Sequence, residues 1–189
     1  MKKTLFALFC AALIAPANAA VTVSDIQYAD SIKKADSALV LNGAGLREIF
    51  FVDVYAAGLY LTGKTTSAEA AIGMPGSKCV RLGLLRDVDA ADFVDALKEG
   101  INDNTTAVEK KAIESELIAL IAVMDKIGDV KKSDIVDFDY TKSHGTSVTV
   151  NGRLIGEKIG GEALYRAVLK IWLGAKAIDA DLKKALLAE

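Results

Sequence analysis

Arg47 is the side chain with the most chemical promise in this chain. It follows Asn42-Gly43-Ala44-Gly45 and directly precedes the most apolar segment of the sequence, Glu48 to Leu61. A guanidinium at the edge of a core can fork onto a carboxylate or enolate oxygen. Tyr55, eight residues on, can bring a phenolic donor to the same anion from a neighbouring strand. The competing reading of Arg47 is an exposed hairpin arginine. Other constellations carry less. Gly43-Ala44-Gly45-Leu46-Arg47 echoes a dinucleotide fingerprint, but a β-rich segment follows it, not a helix whose N-terminus could hold phosphate. The acid pairs Asp137/Asp139, Asp87/Asp89 and Asp92/Asp95 read as solvated faces and caps. Cys79 reads as an inert buried thiol in a strand.

Residue counts narrow the chemistry further. The chain holds one histidine, His144, and two cysteines, Cys10 and Cys79. No metal site and no cofactor are expected: one imidazole and no cysteine cluster cannot build a zinc or copper centre. For haem, His144 would be the sole nitrogen ligand, and Thr141-Lys142-Ser143-His144-Gly145 reads as a solvated turn. With 23 basic against 25 acidic residues the net charge is −2, which gives no electrostatic footprint for nucleic acid or anionic lipid.

The first nineteen residues differ from the rest. Met1-Lys2-Lys3 is basic, Leu5 to Ala15 is apolar, and Ala17-Asn18-Ala19 has the small-x-small form of a signal-peptidase site. This predicts a secretory leader over 1–19 and a single domain over 20–189, exported to the periplasm with no transmembrane segment left after cleavage. Cys10 leaves with the leader, so no internal disulfide is expected. Loss of Lys2 and Lys3 leaves 21 basic against 25 acidic residues, a net charge of −4.

The elements that must position Arg47 follow from hydrophobic periodicity. Val21 to Ala29 reads as a first strand and Ala38 to Leu41 as a second, ended by a turn at Asn42-Gly43-Ala44-Gly45. Glu48 to Leu61 then reads as a long strand buried on both faces. Thr66 with Glu69 predicts a capping box for a short helix through Ile72, and Lys78 to Leu85 returns to strand. Asp89 is expected to cap a helix bearing Phe93, Leu97 and Ile101 on one face, broken at Asn102-Asp103-Asn104. Thr106 with Glu109 opens a longer helix through Val108, Ala112, Leu117, Leu120, Ile121 and Met124, with Gly128 as its C-terminal cap. Ile135 to Tyr140 alternates as a strand, and Asn151-Gly152 predicts a tight hairpin between Thr146–Val150 and Arg153–Ile155. A helix with Leu164, Val168, Ile171 and Trp172 ends at Gly174, and Asp179 caps a last short one. Strands joined by hairpins, then helices, predict an α+β domain: an antiparallel sheet with helices on one face.

Several stretches together resemble the chalcone isomerase-like family, in particular its exported bacterial branch. They are Leu41 to Arg47, Phe51 to Leu61, Leu84 to Phe93, Asn151-Gly152-Arg153, and Ile171-Trp172-Leu173-Gly174. The resemblance covers roughly Ala38 to Leu187 and implies an open-faced β-sandwich, a large antiparallel sheet over a helical layer with a ligand cleft between them. It also implies that Arg47 occupies the place of the anion-holding arginine of true chalcone isomerases, while Tyr55 stands where those enzymes carry a threonine. Phe93 and Gly100 match a cleft tyrosine and asparagine, and Tyr165 a small hydroxyl residue. Phe93 and Gly100 carry no hydrogen-bonding side chain, which argues against efficient chalcone cyclisation. Arg47 with Tyr55 is instead similar to the non-catalytic, fatty-acid-binding members, in which the pair grips a carboxylate.

Three readings therefore stand. The first is a non-catalytic binder of a hydrophobic carboxylate such as a fatty acid, with Arg47 and Tyr55 on the head group and Phe93, Leu97 and Tyr165 along the cleft. Leu164 and Val168 are further candidates for that wall. The second is an intramolecular lyase or isomerase acting on an enone-like substrate, with Arg47 as its electrophilic catalyst. The third is an envelope protein-interaction module, whose partner the sequence does not name.

Overall fold

The computed structural model describes residues 20–35 and 37–189; the expected leader lies outside them. The chain opens with a small hairpin, β1 (Ala20–Val23) and β2 (Ile26–Ala29), and continues through β3 (Ser31–Lys34), β4 (Ser37–Ile49) and β5 (Val52–Leu61). Helix α1 (Ala68–Gly73) and strand β6 (Lys78–Leu84) follow, then the helices α2 (Ala90–Asn104), α3 (Ala107–Ala112) and α4 (Glu114–Ile127). The last third holds β7 (Ile135–Thr141), β8 (Gly145–Val150), β9 (Arg153–Ile159), α5 (Glu162–Leu173) and α6 (Ala180–Leu186). Strands β3 to β9 form one seven-stranded sheet in sequence order, every neighbouring pair antiparallel. The expected α+β architecture is the one found.

The sheet curls over the helices. Tyr55, Leu59, Val80, Leu82, Val136, Phe138 and Val148 form one core with Leu97 and Ile101 of α2, Leu120 of α4 and Leu164, Val168 and Trp172 of α5. The opposite face is covered in part by the β1–β2 hairpin, which packs Tyr28 and Ile26 against Leu39, Tyr60 and Cys79. Gly58 and Gly83 make that approach close: a Cβ on Gly58 would collide with the Tyr28 ring, and one on Gly83 with Ile26.

Several local expectations change. The strand expected over Val21–Ala29 is the hairpin itself, folded at Ser24 and Asp25. Asn42-Gly43-Ala44-Gly45 is not a turn: β4 continues through it, with a register shift at Asn42. These glycines serve packing, because α6 lies across the strand and a Cβ on Gly43 would strike the carbonyl oxygens of Ala185 and Leu186. Asn42, buried beside them, donates to Leu186 O at 2.7 Å and ties down the end of α6. The chain reverses instead at Phe50-Phe51, which are 92% and 99% exposed, so the segment from Glu48 is not one doubly buried strand. From Tyr55 to Leu61 that expectation does hold.

Among the helices, Ser67 rather than Thr66 caps α1, accepting from Ala70 N. Helix α2 continues through Asn104, whose amide is used as a tether and not as a breaker; it bonds Gly100 O, Lys176 O and Lys176 N. The Thr106–Glu109 capping box is present with both its bonds, but the helix it opens breaks at Ile113, and Val108 is left 80% exposed. Gly128, with φ 70, and the Asn151-Gly152 turn, with φ 51 and 77, are as expected.

The acid pair of β7 departs furthest from expectation. Ile135, Asp137 and Asp139 do share the sheet face opposite Val136, Phe138 and Tyr140, but Asp137 and Asp139 are 3% and 6% exposed rather than solvated. Arg81 forks onto Asp137 through Nε and Nη2, each at 2.8 Å, and Lys34 Nζ bridges Asp137 at 2.7 Å and Asp139 at 2.8 Å. A charged strand face survives burial here because partners on β3 and β6 engage both oxygens of Asp137 and one of Asp139, leaving only Asp139 Oδ1 without a partner.

Candidate functional site

Arg47 and Tyr55 are direct cross-strand partners on β4 and β5. Side chains at such positions project to the same face about 5 Å apart, and both line one large cavity on the helical side. Immediately after them the register slips, so that Glu48 faces Asp53 and Val54 is left over. A bulge of this kind bends and twists the strand pair at the margin of a site. The cavity measures about 930 Å³, within the range of small-molecule sites.

Its apolar surface comes from Val54, Tyr55, Leu84, Val88, Phe93, Ala96 and Ile178. Two further features shape the wall formed by α2. Phe93 stands edge-on to Phe138 at 6.3 Å between ring centroids, and Phe138 lies 5.9 Å from Trp172. Gly100 permits α2 to press on α5, since a Cβ there would come within 2.8 Å of Ile171. The rim is polar and mainly acidic: Asp87, Asp89, Asp92, Glu99 and Asp103 outnumber Arg86 and Lys176.

Three groups position the two donors. Asp179, at the N-cap of α6, divides its carboxylate: Oδ1 accepts from the backbone of Asp181 and Leu182, and Oδ2 faces Arg47 Nη1 at 3.3 Å. Arg47 Nη1 also donates to Glu48 O at 2.7 Å. Among the described residues no acceptor engages Nη2 or Nε, so most of the guanidinium fork is uncommitted. Burial raises the Asp179 carboxyl, but the N–H groups of Leu182 and Asp181, with Arg47, more than offset this and hold it below the ordinary carboxylate range.

Tyr55 is 8% exposed, and its hydroxyl accepts from Trp172 Nε1 at 3.0 Å. An indole N–H can only donate, so the phenol's own proton is not committed to Trp172. Burial pushes the Tyr55 phenol up to about 12, against the opposing effects of Trp172 and Arg47. The hydroxyl is therefore a neutral donor throughout the physiological range. Residues carrying one cation and one neutral donor thus stand side by side on the wall of a largely apolar space, which suits a single anionic head group carrying a hydrophobic body.

The other expected site residues divide. Phe93 lines the cavity, as does Gly100. Leu97 lies in the core beneath the helix and not in the cavity wall. Tyr165 is fully buried, with its hydroxyl donating to Phe138 O at 2.8 Å, and does not reach the cavity; Leu164 and Val168 are core residues too. Asp179 was legible only as a helix cap and Trp172 only as an apolar helix residue. Their contacts with Arg47 and Tyr55 span 132 and 117 residues, distances over which no sequence pattern operates.

Elsewhere, Cys79, Asp137 and Asp139 bring ligand-type atoms within 4.8 Å of one another. That group does not suit a metal ion, because the Lys34 ammonium already spans both carboxylates and burial holds the thiol well above its ordinary value. His144 is exposed on the β7–β8 turn and does not line the cavity.

Comparison with known proteins places this geometry in context. A family model described as chalcone isomerase-like matches residues 20–188. Among solved structures, a fatty-acid binding protein of Arabidopsis thaliana is similar, with a TM-score of 0.69 at 17% identity, covering 89% of this chain and 96% of that one. At that identity the likeness is one of fold. A search of curated proteins gave no match.

Proposed function

The chain belongs to the chalcone isomerase-like family, and on that footing we propose that it binds a hydrophobic carboxylate, such as a fatty acid, without transforming it. The observation that carries this reading is that Arg47 and Tyr55, direct cross-strand partners, both line one cavity of about 930 Å³ with an apolar wall. The carboxylate takes the Nη2 and Nε donors of Arg47 and the phenolic proton of Tyr55. Asp179 keeps the guanidinium aimed, and Trp172 keeps the phenol aimed. Each methylene buried along Val54, Leu84, Phe93 and Ile178 adds about 0.8 kcal/mol. The fatty-acid binding description of the Arabidopsis protein supports the same ligand class.

The discriminating experiment compares a long-chain fatty acid with the matching alcohol, by calorimetric titration of the parent and Arg47→Gln. The parent should prefer the acid about tenfold or more, as expected for charge-assisted hydrogen bonds of 1.5–3 kcal/mol, and the variant should lose that preference. Equal preference in the two proteins would sink the assignment. Turnover of an enone-like substrate by the parent, abolished in the same variant, would favour the lyase reading instead.

The same proposal extends to residues 1–19 as a cleaved leader and to a periplasmic location. The basic start, the apolar run and Ala17-Asn18-Ala19 support it, and the family match begins at residue 20. N-terminal sequencing of protein recovered from fractionated cells tests it; a retained Met1 in the cytoplasmic fraction would refute it.

A further inference from the structure

The same kind of reversal is built twice in this sheet, from opposite materials. Between β8 and β9 the turn is Asn151-Gly152, with φ 51 and 77. Those residue types suit a two-residue hairpin whose central positions both need positive φ. Between β4 and β5 the turn is Phe50-Phe51, with φ 49 and 64. Bulky side chains at positive φ are strained outliers, and these two are 92% and 99% exposed, so packing supplies no compensation. Ile49 and Val52 beside them are each 45% exposed. Nothing within the described residues repays a tip that is both strained and fully wetted.

We propose that the Phe50-Phe51 tip docks the protein on a lipid bilayer by inserting its two rings into the interfacial region of an uncharged, zwitterionic surface. Three observations select that occupant. The first is area: two aromatic side chains offer about 400 Å², half of the roughly 800 Å² per partner that a stable protein interface needs, whereas shallow insertion needs no broad flat surface. The second is charge, since exposed Glu48 and Asp53 flank the tip and the adjoining rim is mainly acidic, which disfavours anionic lipid and leaves apolar insertion as the attraction. The third is continuity: Ile49, Phe50 and Val52 also line the mouth of the cavity holding Arg47 and Tyr55. Docking there opens the cavity toward the bilayer. This last step, exchange of an acyl chain between membrane and cavity, rests on the ligand reading above; the docking does not.

The test uses protein made from the full-length gene, with its mature N-terminus mapped by mass spectrometry. Flotation with phosphatidylcholine/phosphatidylethanolamine vesicles compares the parent, Phe51→Gly and Phe50→Asn/Phe51→Gly. The parent should float, at high salt as well as low. Removing Phe51 should weaken partitioning about tenfold, and the double variant should stay in the aqueous phase. The double variant should also unfold at a higher temperature than the parent, because it installs the turn chemistry of Asn151-Gly152; loss of binding in a more stable protein cannot be blamed on misfolding. Three results would each overturn the proposal: a parent that does not float, variants that float as the parent does, and binding confined to anionic vesicles and abolished by salt. A parent that dimerises through the tip, by sedimentation, would overturn it as well. Fatty-acid titration of Phe51→Gly in solution separates this idea from the ligand reading, since Phe51 does not line the cavity. Flotation without fatty-acid binding would refute the ligand alone, and fatty-acid binding without flotation would refute the docking alone.

Discussion

The two faces of the sheet treat buried charge in different ways. On the outer face, Lys34, Arg81, Asp137 and Asp139 pair with one another at 2.7 to 2.8 Å, and Asp139 Oδ1 alone of their carboxylate oxygens lacks a partner. On the helical face, Arg47 shares one nitrogen with Asp179 at 3.3 Å and keeps its remaining donors beside a large cavity. Both arrangements bury ions, yet one uses nearly all its pairing on its own members and the other keeps free donors with room next to them. A buried charge alone therefore does not mark a site. What marks it is incomplete pairing together with space for the missing partner.

The sharpest way to break this contrast is to open the outer set. Asp137→Ala strands Arg81 and weakens the hold on Lys34, so it should lose about 3 kcal/mol of stability, measured by urea unfolding at neutral pH, with fatty-acid affinity unchanged. A loss below about 1 kcal/mol would mean that the outer network is ornamental. Gly43→Ala acts on the other face: its methyl meets the backbone of α6, so overpacking should remove about 2 kcal/mol. Because α6 carries Asp179, this variant should also weaken ligand binding. Stability lost with affinity intact would separate α6 from the site.

A smaller effect is expected from Tyr55→Phe. It leaves the Trp172 N–H unanswered, for about 1 kcal/mol of stability, and it should lower carboxylate affinity several-fold while sparing the matching alcohol. The smallest effect is a pH dependence that separates the two outer acids. Burial raises Asp137, but Arg81 and Lys34 more than offset this and hold it below 3.8. The folded chain then binds fewer protons at Asp137 than the unfolded one around that pH. Its contribution is complete above about 3.8 and is lost as pH falls through the lowered folded value. Asp139 is raised, by burial first and then by the Asp137 charge, against the pull of Lys34. Its contribution runs the other way and declines as pH rises from 3.8 through the raised value. Urea midpoints between pH 2.5 and 6 should therefore show Asp137→Asn flattening the acid limb and Asp139→Asn flattening the decline above it; identical profiles would break the assignment.

How legible all this was in the sequence depended on range. Asn151-Gly152, the Thr106–Glu109 box and Gly128 act within a few residues of themselves, and each does in the fold what its local chemistry required. Gly43 and Gly45 misled because their role is set by α6, about 140 residues away, which needs a strand surface without side chains. Asp137 and Asp139 misled because period-2 alternation says that two residues share a face, not whether that face is covered.

The sequence by itself determined the α+β class, the antiparallel sheet and most helix boundaries, along with the candidacy of Arg47 and Tyr55. These rest on periodicity, caps and turn chemistry, all of them short-range. Only the tertiary structure decided that Arg47 and Tyr55 stand opposite each other and that Trp172 and Asp179 aim them. It alone excluded Leu97 and Tyr165 from the cavity and left Phe50-Phe51 bare at a strained tip. Those outcomes depend on which faces meet across more than a hundred residues, and that is settled by packing the whole chain at once.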